Sequence, residues 1–521
     1  MALQATPRPT GAATRSNRLD GKSLWIVAIL ALAALHAVHL RADFPNHSPW
    51  MDYAKYTDEG WYGKAAIDHY ALGKWYLPGD FNSAVALPVL PALELAVFYF
   101  TGPGLAAARL LILALFAANL LLVYFLVRAQ GRRWAALLAV TLLASNAFLY
   151  AFSRLAILEP LLVFFLLASW MLALSLPQRS VPRNAALAAC GLVICLMILT
   201  KTTAISLLPS TLYLLWSNSG PRLAPRLKAI AVTAIAAATP WSAYYFLWVR
   251  PRYLVDYRYF FTANQYGHPA TLTACASNLW NALHATLWIS PTLVTLLLVI
   301  VAVSLLYFRS LWRNPLAIAS LLAIAGYSVF IAWHNNLQPR YYQVIAFPLM
   351  IVLALAAEGL VSISARTNPT SVRGPASFLK HAAVAAVAIA LAVSTAANSR
   401  QIISWVRHPE YTWLNAATAL TRYIDQHPNG NRLLLSISGD DITLITGLPA
   451  ICDDFGAWDL PARTRYYQPG WYAAWNEIDE GTAADLATQY RLEQVAGFDA
   501  FDDPDRDHLI LYKLHPLEDE K

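Results

Sequence analysis

Long apolar runs are the feature that most constrains this chain. Residues 23–40, 105–127, 134–150, 161–176 and several later stretches approach or exceed the roughly 18 to 20 apolar residues that span a bilayer as a helix. Inside lipid only helices or closed barrels satisfy the backbone. With 58% hydrophobic and 13% charged residues, the 521-residue chain has too few polar groups to cover a soluble globule of its size. The expected fold class is therefore mainly α: a polytopic membrane helix bundle of about eleven spans with a small C-terminal α/β domain.

Charge divides the chain. Residues 410–521 carry 20 acidic and 8 basic side chains, against 11 acidic and 30 basic in residues 1–409. A basic membrane part and an acidic tail suit insertion and solubility; no basic face points to nucleic acid. Residues 1–22 are polar, and the run 23–40 lacks a small-residue cleavage pattern, so it reads as an uncleaved signal anchor. Cys190 and Cys195 fall in an apolar run and read as core, whereas Cys275 and Cys452 are candidates to pair.

Orientation turns on residues 84–100, which contain Pro88, Pro91 and Glu94. Read as a helix lying on the surface, they leave the basic loops 128–133, 178–184, 218–228, 309–314 and 366–380 all on the inner side. The expected spans are then 23–40, 105–127, 134–151, 160–176, 185–200, 203–216, 229–247, 286–307, 316–333, 341–360 and 381–397. Three regions follow: a cytoplasmic tail 1–22, a membrane domain 23–398 with an external loop 41–104, and an external α/β domain 399–521. In that last region 412–426 and 482–495 read as helices, and 432–438, 442–446 and 508–514 as strands. The location expected is the plasma (inner) membrane, with the N-terminus cytoplasmic and the C-terminal domain periplasmic.

Nine of the eleven carboxylates in residues 1–409 fall on the outer side of this topology: the seven from Asp43 to Glu94, then Glu159 and Asp256. Asp58 is the centre of the reading. A carboxylate at the membrane surface, framed by aromatic rings and by Lys55, Lys64 and Lys74, can take a proton from an acceptor while cations hold a phosphate leaving group. The plainer alternative makes Thr57 or Asp58 a helix N-cap. Arg154 and Glu159 sit at a mouth between two spans, where Arg also snorkels and Glu-Pro also starts helices. Lys201 lies between two apolar runs, as a turn residue or a phosphate ligand in equal measure. The basic-aromatic clusters 250–258 and 334–342 fit lipid phosphate and headgroups equally.

Assembled, these residues resemble the GT-C superfamily of lipid-phosphate-sugar glycosyltransferases, in the bacterial branch related to protein O-mannosyltransferases and the lipid A aminoarabinose transferase. The carriers are Asp58-Glu59 after the first span, Ser153-Arg154 with Glu159-Pro160, Leu199-Thr200-Lys201, and Pro339-Arg340-Tyr341. The resemblance covers residues 20 to about 360. It implies sugar transfer with inversion from a polyprenyl-phosphate sugar donor to a lipid, glycan or protein acceptor, among membrane lipids. By position it makes Asp58 the catalytic base, gives Lys201 and Arg340 to the donor phosphate, and turns Glu159 toward the acceptor or a cation. Glu59, Arg154 and Tyr341 complete the expected substrate-binding set. A divalent cation, Mg or Mn, held by Asp58 and Glu159 is the one cofactor it leaves room for. The sequence departs from the family at residues 83–91, where Ser-Ala-Val-Ala-Leu-Pro-Val-Leu-Pro replaces a Lys or His before Pro-Pro-Leu. Two other classes compete with this reading: a non-catalytic scaffold using the acidic tail, and a transporter of lipid-linked sugars, which would place ionisable groups at mid-membrane.

Overall fold

The computed structural model describes residues 21–46, 48–176, 180–263, 267–307, 311–365, 375–501, 503 and 505–517. Among the described residues, six helices are long and apolar enough to cross a membrane: Leu105–Ala129, Val181–Thr200, Leu223–Arg252, Pro315–His334, Pro339–Val361 and His381–Gln426. A seventh crossing results if Leu272–Trp288 and Pro291–Val303, bent by 118°, form one span. The 25 residues of Leu105–Ala129 rise to about 37 Å at 1.5 Å per residue, enough for the hydrocarbon core.

Four of the eleven expected spans fall short of that length, for local reasons. The segment 134–151 is interrupted where Asn146 accepts a hydrogen bond from the Leu149 amide at 2.9 Å and caps a new helix, Ala147–Phe152. The segment 203–216 begins as a 3-10 turn, Thr202–Leu207, before Pro209 starts the helix Leu208–Asn218. The remaining two are the helices Leu24–Ala37 and Glu159–Leu174. Residues 89–101 also form a short apolar helix, Val89–Thr101. Pro240 sits inside Leu223–Ala243, and the helix continues past it as a π-helical turn, Tyr244–Val249.

The C-terminal unit contains a five-stranded mixed sheet: β1 Leu434–Leu435, β2 Ala450–Ile451, β3 Trp471–Trp475, β4 Tyr490–Asp499 and β5 His508–Pro516, in the order β2-β1-β3-β5-β4. The helix Thr412–Gln426 and the strand at 508–516 lie where the sequence places them. Two expectations fail. Residues 442–446 belong to a helix, Gly439–Thr446, and the expected helix 482–495 stops at Ala487 and gives way to β4.

This unit does not stand apart from the loop at 41–104. Asp43, buried, accepts from the amides of Trp413 and Leu414 at 2.8 and 3.2 Å and so caps a helix about 370 residues away. Lys64 meets Asp440 at 2.7 Å, Asp68 at 3.2 Å and Asp80 at 3.1 Å, all four side chains buried. A Cβ at Gly60 would fall 2.3 Å from the backbone of both Asp440 and Asp441, so only glycine permits this approach. All four cysteines are free, and Cys452 is buried in the C-terminal unit, so the candidate Cys275–Cys452 pair does not form.

Candidate active site

Asp58 begins the helix Asp58–Ala71. Thr57 is the N-cap residue but makes no side-chain capping bond, which leaves the Asp58 carboxylate to another use. That use is Arg340, whose Nε lies 2.9 Å from Asp58 Oδ2 in an ion contact, both side chains almost wholly buried. Asp58 Oδ2 accepts no directed hydrogen bond among the described residues. Burial pushes the Asp58 carboxyl up to about 6; Arg340 opposes this, Asp52 and Glu159 add to it, and Lys201 opposes it again.

Asp52 holds Arg340 in place. Its carboxylate accepts from the Arg340 amide at 2.8 Å, pairs with the Arg340 guanidinium, and accepts from Ala54 N at 2.9 Å, capping the turn Tyr53–Lys55. Lys201 follows the helix Ser180–Thr200 in extended conformation, where the helix breaks. Its ammonium pairs with Glu159, at the start of the helix Glu159–Leu174, and lies 4.2 Å from the centre of the Tyr341 ring. The same ring faces the Arg340 guanidinium at 5.0 Å.

Asp58, Lys201, Arg340 and Tyr341 line one cavity of about 770 Å³, walled by Tyr62 and Phe455 among others and reached by side chains of the C-terminal unit. Two buried cations beside a carboxylate with spare acceptor capacity can neutralise a phosphate and receive a proton in one enclosed space.

The family profile for dolichyl-phosphate-mannose-protein mannosyltransferases matches residues 86–244. Among solved structures, the chain resembles ArnT from Cupriavidus metallidurans in its apo state and bound to undecaprenyl phosphate. Each match has TM-score 0.60 and 15% identity, over 94% of this chain and 98% of that one. The chain has the GT-C glycosyltransferase fold. It is also similar to the Archaeoglobus fulgidus oligosaccharyltransferase tethered to an acceptor peptide, with TM-score 0.52 and 14% identity over 95% of this chain and 76% of that one. No curated protein matches the sequence.

Other expected site residues of this GT-C-fold chain lie elsewhere. Glu59 accepts from Arg109 Nε and Nη2 at 2.8 and 2.6 Å and from Ala156 N at 2.7 Å, tying the loop to the helix Leu105–Ala129. Arg154 donates to the Tyr150 hydroxyl at 2.6 Å and to the His39 carbonyl. Neither lines the cavity. The lysines flanking Asp58 in sequence do not supply its cations: Lys64 is buried among three aspartates, Lys55 lies near the rings of Phe44 and Phe501, and Lys74 is exposed. In the cluster 250–258, Arg250 and Arg252 are exposed over Phe246 and Trp248.

Asp52, Tyr62, Asp454, Phe455 and Arg506 escaped the sequence reading. Asp52 carried a signal, because a buried Arg340 requires a carboxylate and the aromatic loop holds several. The C-terminal residues carried none, since nothing in a sequence says that residue 506 meets residue 56.

Asp58 and Glu159 each already face a cation of the chain, and among the described residues no group of three or more His, Cys, Asp or Glu is placed to hold a metal ion. As these side chains stand, they do not fit a divalent-ion site.

Proposed function

We propose that this chain is a multi-pass membrane glycosyltransferase that moves a sugar from a polyprenyl-phosphate donor to a hydroxyl or amine of a lipid, glycan or protein acceptor, with inversion at the anomeric carbon. The observation that carries the proposal is the convergence of Asp58, Lys201 and Arg340 on one cavity. A structural neighbour holding undecaprenyl phosphate supports this class of donor. In the proposed reaction Lys201 and Arg340 take the donor phosphate oxygens, and Tyr341 keeps both cations at the cavity wall. The acceptor oxygen or nitrogen attacks the anomeric carbon from the opposite face. Its proton passes to Asp58 as the carbon–oxygen bond to phosphate breaks and polyprenyl phosphate leaves. The sugar, hexose or pentose, is set by walls such as Tyr62 and Phe455.

The proposed topology keeps eleven crossings, counting the shorter helices near 23–40, 134–151, 160–176 and 203–216 with the six long ones and the bent pair Leu272–Trp288 and Pro291–Val303. It places the N-terminal tail in the cytoplasm, and the loop 41–104 with the C-terminal unit outside the plasma (inner) membrane. Regions 1–22, 23–398 and 399–521 remain its division.

Binding of undecaprenyl phosphate to the purified chain tests the donor assignment. Lys201→Ala should weaken it by about tenfold or more, the loss of one charge-assisted contact. Equal affinity in wild type and in Lys201→Ala contradicts it.

A further inference from the structure

The cavity has a third cation that the proposed donor site does not use. Arg506 lies on the connection between β4 and β5, lines the same cavity as Asp58, and is 25% exposed. Its guanidinium sits 4.4 Å from the centre of the Tyr56 ring and 5.6 Å from that of Tyr53. Phe501, from the same connection, packs against Tyr56, Trp413 and Trp475 with centroids 6.3, 5.6 and 5.7 Å away, so Phe501 is anchored over the loop.

The three cations differ in what already holds them. Arg340 contacts two carboxylates, Asp52 and Asp58, and Lys201 contacts Glu159. Arg506 has Asp503 at 3.6 Å, and that carboxylate also accepts from the Asp505 amide at 3.1 Å. Asp454, on the same cavity wall, feels the charge of Arg463. The cations that act on Asp58 are Arg340 and Lys201, whereas Arg506 acts on the Tyr56 phenol. Arg506 therefore stands apart from the donor-phosphate pair: its one ion contact among the described residues is the loose one to Asp503, and its planar fork can take two oxygens of an anion.

We propose that Arg506 is the acceptor-side cation: its guanidinium binds an anionic group, phosphate or carboxylate, on the acceptor, so the C-terminal unit selects what is glycosylated. This rests on the glycosyltransferase reading above.

The test uses the full chain in detergent, a labelled polyprenyl-phosphate sugar, and a titrated lipid-and-glycan extract of the source cell envelope as acceptor, with undecaprenyl phosphate binding measured in parallel. Arg506→Ala should need about tenfold more extract for half-maximal transfer, the weight of one charge-assisted contact. It should keep the wild-type rate at saturating extract, bind undecaprenyl phosphate as the wild type does, and unfold at the same temperature, while Arg506→Lys recovers most of the loss. If phosphatase treatment of the extract removes the difference between wild type and Arg506→Ala, the anion is a phosphate; if the difference persists, it is a carboxylate. An unchanged extract requirement, or a matching loss of undecaprenyl phosphate affinity, overturns the proposal. A wild type that neither binds undecaprenyl phosphate nor transfers sugar overturns the glycosyltransferase reading, and this inference with it.

Discussion

Lys64 Nζ lies 2.7 Å from the Asp440 carboxylate, 376 positions further along the chain, and both side chains are buried. With Asp68 and Asp80 in the same contact sphere, one ammonium serves three carboxylates and joins the helix that carries Asp58 to the C-terminal unit. The three acids hold the Lys64 ammonium well above its usual range against burial, and burial raises the Asp440 and Asp68 carboxyls. Lys64→Met leaves buried acids without their cation, and removing one partner of such a group costs about 3 to 5 kcal/mol. Thermal unfolding of the purified protein should show this loss. A single Asp440→Asn exchange, which keeps Lys64 paired with Asp68 and Asp80, should cost less.

Gly60 packs directly against the backbone of the helix Gly439–Thr446, and its amide donates to Asp441. Gly60→Ala forces the two backbones apart two residues from Asp58. Transfer should fall by about tenfold or more, since displacement of a catalytic group by about 1 Å is enough for such a loss. Gly359→Ala, where a new Cβ meets nothing within 4 Å, is the control and should keep full activity.

Asp58 gives a pH prediction with a definite sign. A base must be ionised, and this carboxyl is raised from 3.8 to about 6, so kcat/KM should fall as pH drops through about 6. Arg340 pulls the value down, so Arg340→Gln should move that limb to higher pH as well as weaken donor binding. Stability runs the other way. The folded chain holds its Asp58 proton more tightly than the unfolded one, so this contribution is complete below about pH 4 and is lost as pH rises to about 6. The change is on the order of 3 kcal/mol. Urea unfolding across this window should show the loss in the wild type and a weaker one in Asp58→Asn.

Glu59 adjoins Asp58 but answers to Arg109 and the Ala156 amide. Glu59→Gln should lower the unfolding midpoint while leaving the KM for donor near wild type. A large rise in KM without destabilisation would return Glu59 to the substrate-binding set.

Legibility followed physical constraint. Lys201 and Arg340 were readable because a charge between apolar runs must sit at a span end, and span ends on one face converge. The same rule does not separate a substrate contact from a strut to another helix or a carbonyl, which is the place the structure gives Glu59 and Arg154. The Ile-Thr-Leu-Ile-Thr run at 442–446 is rich in β-branched residues, as strands are. Asp440 and Asp441 in the first turn and Gly447 at φ 77° after the last make it a helix instead. The breaks at Asn146 and Pro209 were not legible, because the composition of each apolar run looks continuous across them. Arg506 could not be read at all, because its place depends on the sheet and on the aromatic contact between Phe501 and Tyr56.

The most direct test of the central claim is transfer of labelled sugar from a panel of polyprenyl-phosphate sugars into envelope extract, comparing wild type with Asp58→Asn at pH 7.5. The account predicts transfer by the wild type from at least one donor. It predicts loss of transfer in Asp58→Asn, with undecaprenyl phosphate binding preserved and no fall in unfolding temperature. Wild-type rates in Asp58→Asn would contradict it.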